Sequence, residues 1–151
     1  MNKKIAEFAL LTVIGIAASL HADPKSSQLS VSVEVIARTI LTVDAQPATI
    51  DITASDIARG YIEVPQAVRF RVRSNAANGY SVRFEPMEFP FRSASIAWDN
   101  ALTTVGAEGS WISQRYEQGT KTGAINVKLN LAPGTQPGTY AWPVRFDANP
   151  M

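Results

Sequence analysis

The chain has 151 residues, 46% of them hydrophobic, with 14 Lys and Arg against 13 Asp and Glu, a single histidine and no cysteine. Lys3, Lys4 and Glu7 fall in an apolar leader, so the remainder is evenly charged, which argues against nucleic acid as a partner. His21 also lies in the leader, which leaves no thiol nucleophile, thiolate metal site, Cys-His pair or Ser-His-Asp triad, and predicts a non-enzyme without metal or cofactor.

Residues 1–22 read as a secretory signal. Lys3 and Lys4 form the basic start, and Phe8 to Ala18 is an apolar stretch too short to span a bilayer. Cleavage is expected after Ala22, with Ser19 as the alternative site and an uncleaved anchor as the alternative fate. The rest is expected in the periplasm, at the cell surface or outside the cell, without a membrane span. Residues 23–28 form a short polar tether, and residues 29–151 a single domain of a size that needs no disulfide staple.

"LSVSVEVIARTILTV", Leu29 to Val43, alternates apolar and polar residues for longer than one strand requires. Leu29, Val31, Val33 and Val35 share one face, while Ile36 and Ile40 interrupt the polar one. The first half, to Val35, reads as an exchangeable one-sided strand and the second as anchored in the domain. Short strands follow around Thr49 to Thr53 and Tyr61 to Val64. Between them "SDIARG" closes one helical turn, with Ser55 as N-cap and Gly60 at its end. "VRFRVRSNAANGYSVRFE" predicts a hairpin: Val68, Phe70 and Val72 alternate with Arg69, Arg71 and Arg73, and Asn78-Gly79 turns the chain into Tyr80, Val82 and Phe84.

"PMEFPF" interrupts with two prolines. Strands are then expected up to Trp98, after an Asp99-Asn100 turn up to Val105, and over Trp111 to Tyr116. "AINVKLNL" points Ile125, Val127, Leu129 and Leu131 inward, and "TYAWPVRFD" aligns Tyr140, Trp142, Val144 and Phe146. With no sustained helical period beyond the leader, the expected fold is an all-β, antiparallel, immunoglobulin-like sandwich of about seven to nine strands, a small barrel being the alternative.

Several side chains invite a functional reading. Arg69, Arg71, Arg73 and Arg83 on one hairpin face would suit an anionic surface, a polysaccharide or a partner, though a solvated sheet face explains them as well. Met87, Phe89 and Phe91 form either an exposed apolar patch or the cap of an open sandwich end. Glu85 and Glu88 are close in sequence, but glycoside hydrolysis needs a defined separation across a cleft. Trp98, Trp111 and Trp142 would stack on a sugar if exposed together, although core packing is the commoner fate of a tryptophan that alternates with small or polar neighbours, as Trp98 and Trp142 do.

In order, the leader, the early alternating strand, "RSNAANGYSVRFE" and the ending "LAPGTQPGTYAWPVRFD" resemble the small exported subunits of chaperone-usher pili, especially the archaic, spore-coat-U-like branch. The resemblance implies an incomplete sandwich whose missing strand comes from a neighbour. Leu29, Val31, Val33 and Val35 would be the donated extension, and Tyr140, Trp142, Val144 and Phe146 the accepting edge. It also implies protein partners, either further copies or a periplasmic chaperone and assembly machinery. Two features depart from the family: its usual cysteine pair is absent, and its extension is normally separated from the first domain strand, whereas here the pattern continues to Val43. A self-complete binding module for a surface ligand or carbohydrate is the second hypothesis.

Overall fold

The computed structural model describes residues 30–151; the leader, the tether and Leu29 lie outside them. Two units divide at Glu34. In the first, residues 30–34 carry neither helix nor strand. The second holds ten strands and one short helix: β1 (Thr39–Ala45), β2 (Thr49–Ile52), α1 (Ala54–Arg59), β3 (Tyr61–Ser74), β4 (Tyr80–Phe84), β5 (Phe91–Trp98), β6 (Ala101–Val105), β7 (Ser110–Gln114), β8 (Thr120–Leu131), β9 (Gly138–Ala141) and β10 (Phe146–Pro150).

Every ladder is antiparallel. β1-β3-β8-β5-β6 form a five-stranded sheet, β10-β4-β7 a three-stranded one, and β2 pairs with β9. Alternation puts Val68, Phe70 and Val72 of β3, Ile96 and Trp98 of β5, and Ile125, Val127 and Leu129 of β8 into the core. Tyr80, Val82 and Phe84 of β4 and Ile112 of β7 are buried from the three-stranded sheet. An aromatic cluster lies at the centre: Phe70 meets Trp98 edge-on at 5.0 Å and Phe146 at 5.6 Å, and Phe146 meets Phe84 at 5.5 Å. The molecule is therefore an antiparallel β-sandwich. The sheets do not close into a barrel.

The secondary structure and its connections depart from the sequence-based expectations at several places. The early strand begins at Thr39, not Leu29. β3 runs through Pro65 as one strand, because a bulge between Val64 and Val68 absorbs the proline. At that bulge Gln66 adopts a φ of 48°, and its N–H donates to Asn126 Oδ1 at 2.7 Å. The N-cap of α1 is Thr53 and not Ser55: the Asp56 N–H donates to Thr53 Oγ1 at 3.2 Å, and the Thr53 N–H donates to Asp56 Oδ2 at 2.9 Å.

The expected hairpin around Asn78-Gly79 is absent; that turn carries the chain from the five-stranded sheet to the three-stranded one. Gly79 has φ 94°, and a Cβ there would stand 2.2 Å from the Gln114 carbonyl oxygen, so the crossing needs glycine. Finally, "TYAWPVRFD" is not one strand. It breaks around Pro143 into β9 and β10, which belong to different sheets, and this division raises the strand count to ten.

Candidate functional site

Val31, Val33 and Val35 are 73%, 80% and 73% exposed, and Ile36 is exposed as well. Leu29, the first member of the set, lies outside the described residues. The β1–β3 ladder opens at Thr39 opposite Ser74. Just beyond it, Asn75 takes the place of a partner strand. Its N–H donates to the Arg38 carbonyl at 3.1 Å, its Oδ1 accepts from the Arg38 N–H at 2.5 Å, and its Nδ2 donates to the Ile36 carbonyl at 3.0 Å. The chain is thus pinned at Ile36 to Arg38, and no ladder forms before Thr39 among the described residues. Nothing in "SNAANG" distinguishes Asn75 from an ordinary turn asparagine, so this anchor was not legible in the sequence.

Tyr140, Trp142, Val144 and Phe146 do not form one accepting edge. Trp142 and Val144 are core residues in the break between β9 and β10. Tyr140, on β9, lies opposite Ile50 of β2. Only Phe146 belongs to β10, where it is half-buried against Phe70 and Phe84.

β10 is an edge strand of the three-stranded sheet, with no ladder on its second side. The Glu85 N–H donates to the Arg145 carbonyl and the Met151 N–H to the Gly79 carbonyl, each at 3.0 Å. With the register between β10 and β4, this directs the main-chain groups of Asp147 and Asn149 towards β4 and those of Phe146 and Ala148 to the opposite side. β1 lies on that side, with Cα atoms within 8 Å, but no ladder joins it to β10. A strand seated between them would need roughly 9.6 Å, twice the ordinary spacing. Accepting one therefore means parting β1 from β10.

The three apolar residues of "PMEFPF" do not make a patch. Met87 and Phe91 are buried, with the Met87 N–H bound to the Gly106 carbonyl at 2.9 Å and Phe91 opening β5 opposite Leu131. Only Phe89 is exposed, at 67%, on the rim of a cleft of about 320 Å³ that Glu85, Glu88, Tyr140, Trp142 and Arg145 also line.

The arginines divide too. Arg69, Arg71 and Arg73 follow one another on the exposed face of β3, whereas Arg83 is on β4 in the other sheet. Asp44 holds Arg71 through contacts of 2.9 Å to Nε and 2.8 Å to Nη2, which raises the guanidinium pKa further above its ordinary value. Of the tryptophans, Trp98 and Trp142 are buried and Trp111 is exposed. Among the described residues no group of three His, Cys, Asp or Glu side chains is placed to hold a metal.

The chain matches no family model, no curated protein and no solved structure.

Proposed function

We propose that this protein is an exported, non-enzymatic structural subunit of a surface fibre or coat, and that copies join by strand addition. The arm ending at Val35 of one copy supplies a strand to the β10 edge of the next. The observation that carries this reading is the pairing of two unmet needs. One is a one-sided run of exposed valines; the other is a strand edge whose Phe146 and Ala148 main-chain groups have no ladder partner among the described residues.

Each valine buried in such a joint is worth about 1.5–3 kcal/mol, while each ordered residue costs about 1–2 kcal/mol of backbone entropy. Main-chain bonds to β10 must therefore supply the balance, including the cost of parting β1 from β10, as main-chain bonds do in other strand-addition complexes. Asn75 lowers the ordering cost by fixing the root of the arm.

A second reading, a self-complete binding module, draws on the cleft beside Phe89, where two carboxylates and a guanidinium meet aromatic rings. Removing Asp23 to Val35 separates the two. Light scattering on the exported chain and on the shortened one is expected to show concentration-dependent oligomers for the first and a folded monomer for the second. Equal masses would favour the binding module, and an unfolded shortened chain would show that the arm completes its own domain.

A further inference from the structure

Two side chains left apart from their sequence groupings come together on the outer face of the three-stranded sheet. Trp111 is the one tryptophan outside the core and is 70% exposed; Arg83 is the one arginine of its quartet outside the five-stranded sheet. The register makes them direct cross-strand partners and sets Asp147 on the other side of Arg83, so that Trp111, Arg83 and Asp147 form one row across β7, β4 and β10. Ser113, Ser81 and Asn149 form the next row on the same face.

Because the Arg83 main chain bonds towards β10, its pairing with Trp111 is of the kind not bridged by main-chain bonds, in which side chains stand closest. A depression of about 360 Å³ lies over this face, lined by Ser81, Arg83, Trp111, Ser113, Asn149 and Met151. Three strands at about 4.8 Å spacing make the face roughly 10 Å across, comparable to the length of a disaccharide.

The chemistry of the face selects a class of ligand. Arg83 forms no ion pair among the described residues, and Asn149 Nδ2 donates to Asp147 at 3.0 Å. The opposite charges of Arg83 and Asp147 leave the face neutral as a whole. A partner protein would be expected to meet an apolar centre, yet only Trp111 and Met151 are apolar here. An indole plane beside a guanidinium, a carboxylate, an amide and two hydroxyls instead matches a sugar, which has an apolar C–H face and a rim of groups that both donate and accept.

We propose that this face binds a neutral saccharide chain, with Trp111 stacked on one pyranose ring and Arg83, Asp147 and Asn149 hydrogen-bonded to its hydroxyls. The site uses the outer face of the sheet and not the edge of β10, so it is independent of strand addition.

The test is calorimetric titration of the exported chain with cellohexaose, chitohexaose and mannohexaose, with polygalacturonate as the charged comparison. At least one neutral hexasaccharide is expected to bind. Trp111→Ala should weaken that binding about tenfold or more, as truncation of a central aromatic does, and Trp111→Phe should retain part of it. Because Trp111 is exposed, both variants should unfold at the parent's temperature. No binding of any neutral chain, binding that survives Trp111→Ala, or preference for polygalacturonate would overturn the proposal. So would loss of self-association in Trp111→Ala, because the occupant of the face would then be a second copy.

Discussion

Aspartate at both Val31 and Val33 is expected to abolish assembly, whereas aspartate at both Ser30 and Ser32 leaves it intact. The two double variants add the same charge to the same stretch and differ only in phase. In a strand, residues two apart share a face, so Val31 and Val33 would enter the joint while Ser30 and Ser32 face water. A carboxylate taken out of water without a partner costs several kcal/mol, and two such costs exceed what the remaining apolar contacts return. Assembly should fall by a factor of about 10³ or more, since each 1.4 kcal/mol is a factor of ten. All four side chains are exposed, so thermal unfolding of the sandwich should be unchanged in both variants. Light scattering for mass and circular dichroism for unfolding decide the matter. Equal effects of the two variants would mean that charge alone, and not a strand of period two, governs association.

Valine at Gly123 is expected to unfold the sandwich or to leave it more than about 3 kcal/mol less stable, with alanine costing about 1–3 kcal/mol. Gly123 lies opposite Phe70 in the β3–β8 ladder. A Cβ at this position would stand 2.7 Å from Phe70 Cζ and 2.8 Å from Trp98 Nε1. Neither ring has room to yield: Phe70 and Trp98 are each 1% exposed, and Phe70 is also packed against Phe146. The effect is one of packing and not of backbone conformation, because the φ of Gly123 lies outside the left-handed range. With total stability of about 5–15 kcal/mol for a domain, such a loss is large. Urea unfolding of the two variants measures it, and a Gly123→Val chain as stable as its parent would contradict this account of the core.

Alternation made the buried faces legible. Val68, Phe70 and Val72, Tyr80, Val82 and Phe84, and Ile125, Val127, Leu129 and Leu131 are all in the core as their spacing predicts. Asp99-Asn100 joins β5 to β6, where Asp99 takes φ 51°. Partnership was not legible, because a period of two specifies a face and not a neighbour. β3 and β4 therefore read as a hairpin although they lie in opposite sheets.

The same limit grouped Arg83 with Arg69, Arg71 and Arg73, which lie in the other sheet, and joined β9 to β10 across Pro143. Burial of two of the tryptophans was legible in their neighbours. Trp98 and Trp142 alternate with small or polar residues and are buried, whereas Trp111, followed by Ile112, points away from the core. The arm was visible as a pattern, while its root at Asn75 depends on an amide that meets Ile36 and Arg38 only in the folded chain.

The proposed pairing of one copy's arm with the β10 edge of another can be tested by disulfide trapping, because the chain contains no cysteine to confuse the result. Single-cysteine chains bearing Ser30→Cys, Ser32→Cys or Glu34→Cys on the arm would each be mixed with an Asp147→Cys chain and oxidised. Asp147 is exposed on β10, as is Thr104 on β6, which serves as the comparison. Neighbouring strands lie within the roughly 4.4–6.8 Å Cα separation that a disulfide spans. A covalent dimer of arm and Asp147→Cys chains is expected for at least one arm position, with little from the Thr104→Cys mixture. No dimer at any of the three positions, or equal yields with Thr104→Cys, would contradict strand addition at β10.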